Sequence, residues 1–231
     1  MKKIFFYLAI IASTASCNLS NTNQTNEPNK ELSALFHKYY KARLELFPLE
    51  STQNGDSILN DKMYVDFTDS YRAKLKDFYS KHLTFVKSFY RENLNANDKI
   101  SFDIFKREME MSIEGLSFHD NYIPFQQFWG LPLTMGQLGS GDGNQPFKTQ
   151  KDYNDWLARA TVFGAWADSA IIYFRKGMAA NYVLPASLVA KMIPQMEAMV
   201  VADAKQSLFY SPINKMPTAV ASNKDAIAKQ Y

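Results

Sequence analysis

Cysteine occurs once in these 231 residues, at Cys17. No disulfide can form within one chain, so stability must come from a packed core rather than cross-links. Histidine is nearly as scarce: His37, His82 and His119 are the only three. None is followed by Glu and none has a partner four residues on, so the chain holds no HExxH or comparable zinc spacing. His82 falls within an apolar stripe and reads as a hydrogen-bonded core residue. There is no Gly-x-Ser-x-Gly elbow for a serine nucleophile. An excess of one charge is missing too. With Lys2 and Lys3 set aside, 24 of the 26 basic residues face 23 acidic ones, a net of +1. Bulk charge therefore gives no reason to expect a nucleic-acid partner.

What is present begins at the N-terminus. Lys2 and Lys3 precede "IFFYLAIIASTAS", a short apolar run grading into small residues. A bilayer core of about 30 Å needs roughly 20 apolar residues, so this stretch reads as a secretory signal and not a membrane span. It ends on "TASC", which resembles a bacterial lipobox at Ala15, Ser16 and Cys17, with Thr14 in place of the usual leucine. The resemblance implies cleavage before Cys17, lipidation of that residue and attachment to a membrane. Each buried acyl CH₂ would contribute about 0.8 kcal/mol. "NLSNTNQTNEPNK" follows, polar and Asn-rich, and reads as a disordered tether. The expected organisation is a signal peptide over 1–16, a lipidated cysteine and tether over 17–30, and a helical domain over 31–231. The expected location is the bacterial cell envelope, at the outer membrane.

Beyond residue 30 the apolar residues recur at steps of three and four, the period of helices. Leu32, Leu35, Phe36, Tyr39, Tyr40, Leu44 and Phe47 line the first helix, which Pro48 ends. Thr68 caps a second with inward Tyr71, Leu75, Phe78, His82, Phe85 and Phe89. Asn97 or Asp98 caps a third with inward Ile104, Phe105, Met109, Ile113 and Leu116. Thr149 and Asp152 form a capping-box pattern that opens a long helix to about Lys176. Gly177 is its expected C′ residue, and apolar residues on both sides predict a central position. Pro185 starts another helix, which Pro194 should kink. A second capping-box pattern, Ser222 to Asp225, opens a helix only about two turns before Tyr231. That reads as the N-terminal piece of something longer.

Residues 117–147 lack clear periodicity and exceed a normal connection, which marks a candidate functional loop. Gly136, Gly139, Gly141 and Gly143 cluster within it. They are not a phosphate cradle, because no Lys-Ser/Thr follows at P-loop spacing. Nor is "FWGLPLTM" a plausible central strand for a dinucleotide fingerprint, given Pro132. No nucleotide is expected, and Gly136–Asn144 is expected to be an exposed, mobile loop. Met192, Met196 and Met199 share one helix face, where core packing is favoured over soft-metal binding. Glu110 and Glu114 lie one turn apart, but Lys106 precedes Glu110 by four, which reads as a solvated ion-pair face.

The order of "FPLESTQNGD", "YIPFQQFWGLP", "PFKTQKDYNDWLARA", "FRKGMAANYVLPASLVAKMIPQM" and "FYSPINKMP" resembles the N-terminal half of a bacterial family, domain of unknown function 885. The resemblance covers roughly 31–231. It implies a mainly α fold, a multi-helix bundle with one long irregular loop, forming an N-terminal part of a larger all-helical metallopeptidase-like protein. It also implies zinc, held by a His-Glu-x-x-Pro-Gly-His motif and a later glutamate. No such motif occurs here, so no catalytic or metal residue is carried over, and zinc is expected only with residues absent from this chain. Gln126, Gln127 and Trp129 match the family's mid-region and are the candidates for lining a peptide-substrate groove. The leading expectation is the helical region of a lipid-anchored, peptidase-like envelope protein. The alternative is a non-enzymatic helical binding or scaffold module.

Overall fold

The computed structural model describes residues 27–231. The stretches expected to be a signal peptide and a tether, with Cys17 between them, lie outside the described residues up to residue 26. Among the described residues the elements are α-helices and short 3₁₀ turns, without strands. No described helix is long and apolar enough to cross a membrane.

The first core is built by α1 (Lys30–Leu46), α3 (Asp69–Lys87) and α4 (Ala96–Gly115), with α3 and α4 forming a hairpin through a 3₁₀ turn at Arg91–Asn93. Asn29 caps α1 by accepting from the Leu32 amide, one residue earlier than the expected boundary. Thr68 caps α3 as expected, accepting from the Tyr71 amide at 3.3 Å. The cap of α4 is Asn95, not Asn97 or Asp98. Its Oδ1 accepts from the Asp98 amide at 2.8 Å. The Asp98 carboxylate is occupied elsewhere, accepting from the Asn29 amide at 2.6 Å and so joining the starts of α1 and α4.

Leu32, Val86 and Met109 are fully enclosed between these helices, each burial stabilising by about 1.5–3 kcal/mol. The inward face of α4 carries Phe102, Phe105 and Met109, whereas Ile104, expected inside, is 62% exposed. The face is turned by one residue because Phe102 and Phe105 both pack into the cluster that holds Tyr39. On α3 the deep positions are Leu75, Tyr79 and Val86, and Phe85 points outward instead of inward. His82 is half-buried. Its Nδ1 lies 2.8 Å from the Phe78 carbonyl and its ring meets the Tyr39 ring.

The second core is gathered by α5 (Leu131–Gly139), the first half of α6 (Gln150–Ala179), α8 (Ser211–Asn214) and α9 (Lys224–Gln230). The capping box at Thr149 and Asp152 is fully formed. Its pattern twin at Ser222 is not. Ser222 lies within a 3₁₀ segment, Thr218–Asn223, that runs into α9 without a side-chain cap. Gly136–Gly139 belongs to α5, with Met135, Leu138 and Gly139 buried against Trp156 and Phe209, so half of the expected mobile loop is core helix. Beyond α5, Asp142, Gly143 and Asn144 are exposed before Gln145 turns inward, and within α5 Gln137 is exposed. Gly177 does not end α6. It sits inside the last turn, where a Cβ would lie 2.6 Å from the Tyr182 carbonyl oxygen, and Asn181 takes the positive φ instead.

The second half of α6 is covered on one side only. Trp166, Ala170 and Tyr173 are buried, while Ile171 and Ile172 are about half exposed, so the central position holds for the first half alone. α7 (Ala186–Glu197), with Pro194 inside it, buries only Met192 of its methionine stripe. α2 (Pro48–Gln53) follows α1 directly, with Pro48 in its first turn.

Arg159 of α6 is completely buried. It donates to the carbonyls of Pro48, Leu59 and Lys62, to Thr52 Oγ1 and to Gln145 Oε1. Thr52 in turn donates to Asn60 Oδ1 at 2.6 Å. Burial lowers the Arg159 pKa to about 10, so it remains charged at neutral pH. Replacing Arg159 with Met should cost about 1–3 kcal/mol by stranding buried neutral acceptors. Urea unfolding of the variant checks this, and a loss under about 1 kcal/mol would remove Arg159 as the tie between these segments.

Candidate functional site

An open groove of about 730 Å³ runs along the seam between the two cores. That volume is in the range of small-ligand and peptide pockets. One wall comes from the end of α1 and from α2, with Leu46, Phe47, Leu49 and Glu50. The opposite wall comes from residues 120–134, with Asn121, Ile123, Trp129, Leu131 and Thr134. The 63–67 strip and the start of α3 complete it, contributing Met63, Tyr64, Asp66, Phe67 and Arg72.

The walls are locally determined. Phe67 meets the Trp166 ring edge-on at 5.4 Å and the Tyr173 ring at 5.2 Å, which fixes the 63–67 strip onto α6. Such aromatic pairs add about 0.5–1.5 kcal/mol beyond area burial. Asn121 is buried and donates to the Phe67 carbonyl at 3.1 Å, which ties the 120–124 wall to the same strip. Trp129 sits in a tight turn, with the Gln126 amide donating to the Trp129 carbonyl at 2.9 Å. Gly130 closes the turn at φ 136, where a Cβ would fall 2.3 Å from Phe125 Cβ. Only glycine fits there. The turn leaves Trp129 53% exposed at the groove's edge, whereas Trp156 and Trp166 are buried.

Of the three residues expected to line a groove, Trp129 lies in this one. Gln126 and Gln127 are half-buried and are not among its lining residues. The Gln127 carbonyl accepts from Gln195 Nε2 of α7, and its own Oε1 is buried without a protein partner.

The charged lining residues are Glu50, Asp66, Arg72 and Asp120. Two acids are paired. Arg43 holds Glu50 at 3.1 Å, and Arg72 holds Asp120 at 2.7 Å while also donating to the Leu116 and Phe118 carbonyls. Asp66 forms no ion pair among the described residues. The walls crowd its carboxyl and push its pKa above 3.8, with a backbone hydrogen bond partly opposing. Asp66 is nonetheless exposed, and water screens the effect. Asp66 and Arg72 carry no motif, so neither is legible as a site residue in the sequence. Arg159 is no more legible, its one available signal being a cation interrupting the inward stripe of α6.

The site is thus a preformed, aromatic-edged groove in an all-helical frame. The family described as bacterial protein of unknown function (DUF885) matches residues 48–231, and the chain belongs to that family. No curated protein and no solved structure matches the chain. The matched span contains most of the groove. A second groove of about 920 Å³ between α1 and α3 draws much of its lining from residues 31–46, ahead of that span. Among the described residues no three His, Cys, Asp or Glu side chains converge to hold a metal.

A raised carboxyl pKa has a signed consequence for stability. Between 3.8 and the higher folded value, the native state binds more protons at Asp66 than the unfolded chain does. Stability from this group therefore falls as pH rises through that interval. Asp66→Asn should remove that fall. Carbon-detected NMR titration of the carboxyls checks the premise, and an Asp66 midpoint at or below 3.8 would contradict it.

Proposed function

We propose that this chain forms the helical wall of a peptide-binding cleft in a lipid-anchored cell-envelope protein of zinc-peptidase-like type. The observation that carries the reading is the seam groove, with exposed Trp129 held at its edge by the Gln126–Trp129 turn and Gly130. An indole on a rigid turn offers a large contact area at little entropic cost, which is how aromatic anchors serve at binding surfaces. Paired polar groups beside it, such as Arg72 with Asp120, suit a ligand that carries its own amides.

The envelope location rests on the signal-like N-terminus and on Cys17 within "TASC". Acyl chains on Cys17 would hold the protein at a membrane through buried CH₂ groups.

Calorimetric titration of the full chain with capped pentapeptides tests the cleft. Binding should weaken about tenfold or more in Trp129→Ala, the usual cost of losing a tryptophan anchor. Equal affinity in that variant would place the peptide elsewhere. For the anchor, Cys17→Ala should move the protein from the membrane pellet to the soluble fraction after cell breakage. Retention in the pellet would count against lipidation.

A further inference from the structure

Three acids line the seam groove, and neighbours neutralise two of them. Glu50 is held by Arg43 at the last turn of α1, and Asp120 by Arg72. Asp66 is left as the one lining carboxylate without an ion pair among the described residues. Its surroundings are aromatic. Tyr64 and Phe67 flank it in sequence, and Trp129 and Trp166 line the same groove. Two further cations lie near this strip: Lys74 sits over the Tyr64 and Tyr71 rings at 5.8 and 5.6 Å, and Lys62 pairs with Asp61, and neither makes an ion pair with Asp66 among the described residues. A lone carboxylate among ring faces favours a cation, through direct charge attraction and through the ring quadrupoles. An anion would meet three acids against the single arginine, already committed to Asp120 and two carbonyls.

We infer that the groove selects peptides carrying a cationic side chain, lysine or arginine, which docks on Asp66 between the aromatic walls. This rests on the peptide-groove reading above and names the ligand chemistry of that site. The raised pKa of Asp66 agrees with it, because an arriving ammonium or guanidinium compensates a partly desolvated carboxylate that has no ion pair.

The test compares acetylated, amidated Ala-Ala-Lys-Ala-Ala with its norleucine and glutamate counterparts, titrated into the full chain at low salt. The lysine peptide should bind about tenfold more tightly than the norleucine peptide. That ratio should shrink as salt is added. It should fall to about one in Asp66→Asn and persist in Asp66→Glu. Asp66→Lys should reverse the order in favour of the glutamate peptide. Thermal unfolding of each variant confirms that it is folded. Equal binding of lysine and norleucine peptides by the natural chain overturns the charge inference while leaving the groove in place. So does a lysine preference that survives in folded Asp66→Asn. If no peptide binds the natural chain, the groove reading fails and this inference with it.

Discussion

Arg159 carries its charge into a fully enclosed site where its hydrogen-bond partners are five neutral oxygens, from α2, from residues 59–62 and from Gln145. A guanidinium can do this because its five donors lie in one plane and its charge is spread, so neutral carbonyls satisfy it in turn. Asp155 and Asp61 add longer-range attraction. The arrangement is a poor source of net stability, since desolvating the charge offsets much of what the bonds return. Its effect is on specificity. Carbonyls at Pro48, Leu59 and Lys62 belong to irregular or short elements that bury little apolar surface of their own. Without a common donor those segments would have many near-equivalent positions, and with it they have one.

That constraint decides where the groove can exist. The first core packs α1 against α3 and α4, and the second packs α5, α8 and α9 around α6. The 48–67 segment runs between them. Its early part is fixed from α6 by Arg159, and its late part by Phe67 against Trp166 and Tyr173. An open groove remains where two cores meet without fusing, which is a common place for binding pockets.

Much of this was legible in the sequence, and its limits are physical. The helical class, the Thr68 cap and the complete Thr149 box followed from local chemistry, because a cap needs only a few neighbouring residues. Ser222 carried the same pattern without forming a box, because the preceding segment winds as a 3₁₀ turn and takes Ser222 into it. Faces were harder than helices. Ile104 and Phe105 are adjacent and equally apolar in pattern, and only packing with Phe36 and Tyr39 decides that Phe105 goes inside. The glycine cluster misled because glycine marks close approach as well as flexibility. At Gly139 it lets a helix press on Trp156 and Phe209. Arg159 was invisible as a hub because its partners lie 14 to 111 residues away in sequence, and most are backbone carbonyls that no residue type announces.

The distribution of ion pairs along the seam follows from the same topology. Arg43 and Glu50 lie seven residues apart, across the tight passage from α1 to α2, so that pair forms wherever the passage forms. Arg72 and Asp120 are 48 residues apart, yet Arg72 also binds the Leu116 and Phe118 carbonyls at the end of α4, so it is fixed before Asp120 arrives. Asp66 has no such neighbour. The residues after it begin α3, whose Lys74 is drawn over the Tyr64 and Tyr71 rings, and Arg72 points the other way. Packing gives this position no ion pair among the described residues, and Asp66 is exposed to the groove. Asp66 lines the same groove as exposed Trp129, and the partner that balances its charge when the groove is occupied comes from outside the chain.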